Sequence, residues 1–356
     1  MLTPMSPIDV VWSPTTREHV PSAEIWVGVR TPGTEVAERV DVLREALTAA
    51  GHPLVEAAPH DDEVLGAVHD PALLEHLATV YERWTESGIP AEVGQDRVVP
   101  YVFPTAAMLG GLLMTQATAV HGLAGAFCYD TMTLVGPGTW EAARAAADCA
   151  LTAVDLVAGG AAAAYALSRP PGHHVTASAY GGSCYLNNAA VAAEALRRAS
   201  HERVSVVDVD AHHGNGTSAI FYDRGDVLYG SVHVDPAAGW FPHYVGHAGE
   251  RGTGEGVGAN LNIPLAPGSG DAVFLDGVAA LADAVSGHGS TAVVVSLGVD
   301  AAADDPESPL EVTRDGYRRA GERLASLGLP SVLVQEGGYH LPSLGSLVTA
   351  FLSAYA

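Results

Sequence analysis

VSVVDVDAHHGNGT, residues 204–217, begins as a buried strand and ends as something else. Valines at 204, 206, 207 and 209 favour a pleated, apolar environment. Yet Asp208, Asp210, His212 and His213 crowd into six positions of the same run. Charged and imidazole groups are costly to bury unless paired or coordinated. The stretch therefore predicts a strand whose carboxyl end carries groups that hold something.

Other apolar runs end in the same way. IDVVWS (8–13), AAAAYALS (161–168), DVLYGSVHV (226–234), TAVVVSLGV (291–299) and PSVLVQEGG (330–338) alternate with amphipathic stretches such as NNAAVAAEALRRAS and TRDGYRRAGERLASLG. Continuous apolar strands alternating with helices predict an α/β domain with a parallel sheet covered on both faces. No repeat or long linker divides the chain, so one domain over 1–356 is expected. The strand tails read SRPPGHH, DVDAHHGNG, SVHVDPAAGWFPH, SLGVDAAADDP and QEGGYH. Ligands of such sheets bind beyond the strands' carboxyl ends, so these tails should converge on one cleft.

Asp210 and His212 stand two apart and can leave one face of a strand end, where Asp300 can join them. Three oxygen and nitrogen donors with an open fourth position match catalytic zinc better than structural zinc, although iron(II) or cobalt suits the same set. His173 and His174 follow the stiff RPPG segment and are either further ligands or proton-transfer groups, with Asp208 and Asn215 as orienting partners. Tyr339, after two glycines in QEGGYH with Glu336, is placed to stabilise an oxyanion.

RPPGHH, CYLNN, DVDAHHGNGT, the Asp300…Asp305-Pro306 element and EGGY together resemble the zinc-dependent histone deacetylase and acetylpolyamine amidohydrolase superfamily, with the match starting at TEVAER (34–39). WFPHYVGHAGERGTGEG and YDTMTLVGPGTWEAA look nearer to the acetylpolyamine and class II-like bacterial branch. The resemblance implies a three-layer arginase/deacetylase-like fold around a mostly parallel eight-stranded sheet. It also implies hydrolysis of an N-acylated primary amine, with zinc on Asp210, His212 and Asp300. His173 and His174 carry protons, partnered by Asp208 and Asn215, and Tyr339 is the transition-state tyrosine. A structural potassium ion would lie against Asp208, Asp210, His212, Ser231 and Val232.

Further family parallels concern the substrate tunnel. Phe241, with Trp240, fits one aromatic wall, and Gly182 and Ser183 fall on the other. Ser183 stands where relatives carry an aromatic residue, which implies a wider or more polar tunnel. Asp130 matches an acidic residue at the rim, and His340 is a further substrate-contact candidate beside Tyr339. Segment 86–105 lies where relatives carry an entrance loop that builds a dimer, so a homodimer is expected.

Two competing functions are weighed against this. Arginases share the fold but need two further carboxylates, at the positions of Gly214 and Gly298 here. A protein that binds acylated amines without cleaving them would lack a ligand, the histidine pair or the tyrosine, and all are present. The composition adds its own exclusions. Seventeen cations, all arginine, face 41 acidic residues for a net charge of −24, which argues against nucleic acid and mildly for a cationic partner. Cys128, Cys149 and Cys184 form no CxxC pattern and suggest reduced thiols in a cytoplasmic setting. No apolar run is long enough for a membrane span, and the opening MLTPMSPIDV lacks the basic-then-apolar profile of a signal peptide, so a soluble, intracellular protein is expected.

Overall fold

The computed structural model describes residues 7–356. Ten strands are present among the described residues: β1 (Asp9–Trp12), β2 (Glu24–Trp26), β3 (Val29–Thr31), β4 (Leu54–Glu56), β5 (Ala163–Ala166), β6 (Val204–Asp208), β7 (Val227–Val234), β8 (Asn260–Leu265), β9 (Ala292–Leu297) and β10 (Ser331–Gln335). Eight of them form one sheet in the order β4-β1-β5-β10-β9-β6-β7-β8. Every pairing in that sheet is parallel. β2 and β3 make a separate antiparallel hairpin.

The apolar runs of the sequence supply the six central strands, and the two edge strands are additions. β4 is only three residues, LVE, and half-exposed. β8 reads NLNIPL, in which Asn260, Asn262 and Pro264 break the apolar pattern. Proline lacks the N–H that a central strand must donate, so an edge is where it fits.

Alternation along the strands divides the core in two. Val204, Val206, Val294, Val332 and Val334 face one layer, packed by helices Thr139–Ala158 and Asn188–Arg198. Val207, Val293, Val295 and Leu333 face the other, packed by helices Glu38–Ala49, Asp271–His288, Arg314–Ala325 and Leu341–Leu352. Helix, sheet and helix make three layers. β6 and β9 are hydrogen-bonded neighbours, but the chain leaves them toward opposite edges, β6 to β7 and β9 to β10. Such a reversal opens a crevice beyond the strand ends. Asp210 and Asp300 stand there.

Candidate active site

Asp210 and Asp300 are buried, and His212 lies between their carboxylates. His212 Nδ1 sits 3.2 Å from Asp210 Oδ1 and 3.0 Å from Asp300 Oδ2. Backbone N–H groups fix both acids: Gly337 donates to Asp210 Oδ2 at 2.8 Å and Ala211 to Asp300 Oδ1 at 2.8 Å. One donor atom from each of the three residues lies within 4.8 Å of the others. Among the described residues no arginine pairs with either acid. Burial, and then the Asp210 charge, push the Asp300 carboxyl up to about 7. Two buried carboxylates converging on one imidazole without a fixed cation fit a divalent metal, which removes that repulsion.

The same crowding bears on a second metal. A Cβ on Gly298 would lie 2.0 Å from Asp210 Oδ2, and one on Gly214 would lie 2.3 Å from Asp208 Oδ2. These are the positions where arginase chemistry needs extra carboxylates, and neither has room for one.

The histidine pair stands beside the triad with ring centroids 4.0 Å apart. His173 Nδ1 faces Asp208 Oδ2 at 3.0 Å, and Tyr229 donates its hydroxyl to the same oxygen at 3.1 Å. Burial opposes a charge on His173, but Asp210 and then Asp208 outweigh it and raise its pKa to about 10. His174 differs. Its Nδ1 meets the Asn215 side-chain oxygen at 2.7 Å. Burial, then the neighbouring His173 and His212, hold its pKa well below the usual histidine value. One imidazole is held charged and the other neutral, a division suited to proton transfer.

The turn that presents Tyr339 rests on side chains to which the sequence reading gave no role of their own. Asp305 Oδ2 accepts the N–H of Tyr339 at 2.7 Å and of His340 at 3.1 Å. Arg39 donates Nε to the Gly338 carbonyl at 2.7 Å, and its guanidinium lies 4.8 Å from the Tyr339 ring centre. Glu35 joins Arg39, at 3.0 Å, to Arg169, at 2.7 Å, and all three are buried. The i,i+4 spacing of Glu35 and Arg39 within TEVAER is the only sequence signal for this network. Glu336 accepts the N–H of Gly172 at 2.7 Å and so ties the RPPGHH segment to β10.

The cavity above the triad has a volume of about 420 Å³. His174, His212 and Tyr339 line its floor, with Gly182, Ser183, Trp240, Phe241 and Asp130 among its walls. Asp130 is not free to hold a substrate. Its oxygens accept from the N–H of Met132, Thr133 and Gly182 and from the Thr133 hydroxyl, so it braces the wall. His340 does not line the cavity; its ring turns to Ser343 Oγ at 2.8 Å and Asp304 Oδ2 at 3.0 Å, just before helix Leu341–Leu352. Asp208 and Ser231 are cross-strand partners and Val232 follows, which gathers the residues expected around potassium. The hairpin β2–β3 contributes Glu24, Trp26 and Thr31 to the mouth, none of them anticipated.

The histone deacetylase domain pattern matches residues 33–355. The chain belongs to the histone deacetylase family. Within it, the chain is 43% identical to the acetylpolyamine amidohydrolase of Burkholderia pseudomallei over 90% of this chain and 91% of that protein. It is 36% identical to the acetylpolyamine amidohydrolase of Mycoplana ramosa over 98% and 99% of the two chains. A crystal structure of acetylpolyamine aminohydrolase from Burkholderia pseudomallei superposes with a TM-score of 0.91 at 40% identity, covering 98% of each chain. As a family member the chain is a metal-dependent hydrolase of acetylated amines, built on the arginase/deacetylase-like fold.

Proposed function

We propose that this deacetylase takes acetylated amines with a second, cationic head, of the polyamine type, and that its metal is zinc. The observation that carries the substrate reading is the cavity mouth. Glu24 and Glu307 line it together with Trp26 and Trp240, and no arginine does. Burial, and then the charge of Glu307, raise the Glu24 pKa to about 7. Carboxylates beside indole faces attract an ammonium through charge and through the ring quadrupole. The overall charge of −24 favours the same partner over nucleic acid. The relatives' names point to the same substrate class.

Asp210, His212 and Asp300 would hold the zinc, which when bound activates water and polarises the amide carbonyl as a Lewis acid. The remaining work falls to the chain. His174, whose Nδ1–H is committed to Asn215, takes a proton from the attacking water at Nε2 and returns it to the departing amine nitrogen. His173, anchored on Asp208, stays charged and holds the field beside it. Tyr339 donates its hydroxyl to the carbonyl oxygen as that atom gains charge. The C–O bond forms first, moving the carbonyl electron pair onto its oxygen; the C–N bond then breaks as the amine nitrogen takes the proton from His174, giving acetate and a free amine.

The proposal extends to a single catalytic domain over 1–356, a structural potassium ion beside Asp208, Asp210, His212, Ser231 and Val232, and a homodimer. Tyr101, within 86–105, is exposed, as are Met108, Leu112 and Leu113 just beyond that segment, which supports association. Free, buried cysteines support the cytoplasmic expectation, and among the described residues no helix is long and apolar enough to cross a membrane.

The test is a panel of acetylputrescine, acetylspermidine, an acetyl-lysine peptide and neutral N-butylacetamide. Cationic substrates should exceed the neutral one in kcat/KM by about tenfold or more, since one ammonium–aromatic contact contributes about 0.5–2 kcal/mol. Equal efficiencies, or efficiencies unchanged in Glu307→Gln, would overturn the cationic reading.

A further inference from the structure

Asp305 is buried, and its two carboxylate oxygens hold different parts of the cavity. Oδ2 accepts the N–H of Tyr339 at 2.7 Å and of His340 at 3.1 Å. Oδ1 accepts the N–H of Glu307 at 3.0 Å. Glu307 in turn accepts the Trp240 indole N–H on its backbone carbonyl at 3.1 Å. Tyr339 belongs to the cavity floor, whereas Glu307 and Trp240 belong to its mouth. One carboxylate thus joins the two ends. Pro306, between Asp305 and Glu307, also lines the cavity, and its fixed φ stiffens the link.

The other fastenings of the Tyr339 turn lie on its glycines. Gly337 donates its N–H to Asp210 Oδ2 at 2.8 Å, and Arg39 holds the Gly338 carbonyl at 2.7 Å. Gly338 itself sits at φ 123, where the chain bends with little intrinsic preference for one path. The placement of the tyrosine therefore depends on what grips its own N–H, and that is Asp305. Hydrogen bonds from N–H groups to a carboxylate are charge-assisted and stronger than neutral ones. The carboxylate is also one rigid plane. A rotation that suits the partner of one oxygen disturbs the partners of the other, so Glu307 and Tyr339 are held in register.

We infer that Asp305 is a positioning residue that couples the cavity mouth to the floor: an ammonium head held at Glu307 orders the 305–307 turn, and Asp305 passes that order to Tyr339. This rests on the cationic-substrate reading above. Interactions of a remote head group then act at the reacting centre, so a substrate that carries the head gains in kcat and not only in KM. A neutral amide leaves Glu307 unengaged and Tyr339 less firmly placed.

The experiment measures kcat and KM separately for acetylputrescine and N-butylacetamide in the parent, Asp305→Asn, Tyr339→Phe and the double variant, with zinc content and denaturant midpoint alongside. In the parent, kcat should be higher for acetylputrescine. Asp305→Asn keeps the side chain's size but turns one acceptor into an NH2 group, which cannot receive an N–H. It should retain zinc, lower kcat on both substrates by about 10- to 100-fold, and shrink the kcat difference between them. In the Tyr339→Phe background it should lower kcat no further, because its effect runs through the missing hydroxyl. Losses that multiply in the double variant, or an Asp305→Asn kcat within about twofold of the parent, would overturn the inference. So would a parent advantage for acetylputrescine confined to KM, which leaves the substrate reading standing. If Asp305→Asn does not fold, Tyr339→Phe alone decides: the kcat difference between substrates should vanish there, and its persistence would overturn the coupling. If the parent treats the two substrates alike, the substrate reading fails, while non-additive losses on N-butylacetamide still show that Asp305 places Tyr339.

Discussion

His174 and Asn215 share a hydrogen bond of 2.7 Å between the imidazole Nδ1 and the side-chain oxygen, and this bond decides which ring nitrogen keeps a free lone pair. An amide oxygen only accepts, so Nδ1 carries the proton and Nε2 keeps its lone pair.

Asn215→Asp converts that partner into an anion, which favours the imidazolium. An adjacent opposite charge typically raises such a pKa by about 1–3 units. The base form then dominates only at higher pH, so the acidic limb of the kcat/KM profile should move upward. A limb that stays in place would show that His174 is not the titrating base.

Glu24 should give the mouth its own pH dependence. With a pKa raised to about 7, its carboxyl gains charge as pH rises through neutrality. The charged form attracts an ammonium. The ratio of kcat/KM for acetylputrescine over N-butylacetamide should therefore climb across that interval, with the shared catalytic ionisations cancelling. Glu24→Gln should flatten the ratio, and a ratio as steep as in the parent would assign the effect elsewhere.

Gly298→Asp installs one of the carboxylates that a second metal would need. Because a Cβ at this position falls 2.0 Å from Asp210 Oδ2, the substitution should displace a ligand rather than add one. Metal content per chain should drop below that of the parent, with loss of hydrolysis. Elemental analysis showing two tightly held metals would contradict this.

Among the described residues, Glu35 is the only carboxylate paired with both buried Arg39 and buried Arg169. Glu35→Gln leaves two guanidinium groups without a counter-charge, and breaking a buried pair in this way costs about 3–5 kcal/mol. Denaturant unfolding should show a loss of that order, and turnover should fall because Arg39 steadies the Tyr339 turn. An unchanged midpoint would mean that the network is dispensable.

The candidate metal cluster was legible because burying Asp210, His212 and Asp300 at strand ends makes chemical sense only together, and the three do converge within 4.8 Å. The six central strands were legible because their apolar runs leave no other choice. β4 and β8 were not, since short or polar edge strands form through the neighbour they pair with, not through their own pattern. The same holds for Glu24 and Trp26, which reach the mouth only because a hairpin folds over it. Asp130 was read as a substrate contact because an acid at a rim looks free until its four backbone and hydroxyl donors are counted.

The account stands most directly on acetate released from acetylputrescine as zinc is titrated into metal-free protein. Acetate and putrescine should appear in equal amounts, activity should plateau at one zinc per chain, and Asp300→Asn should abolish both binding and release. A plateau at two metals per chain, or zinc-loaded protein that releases no acetate, would contradict it.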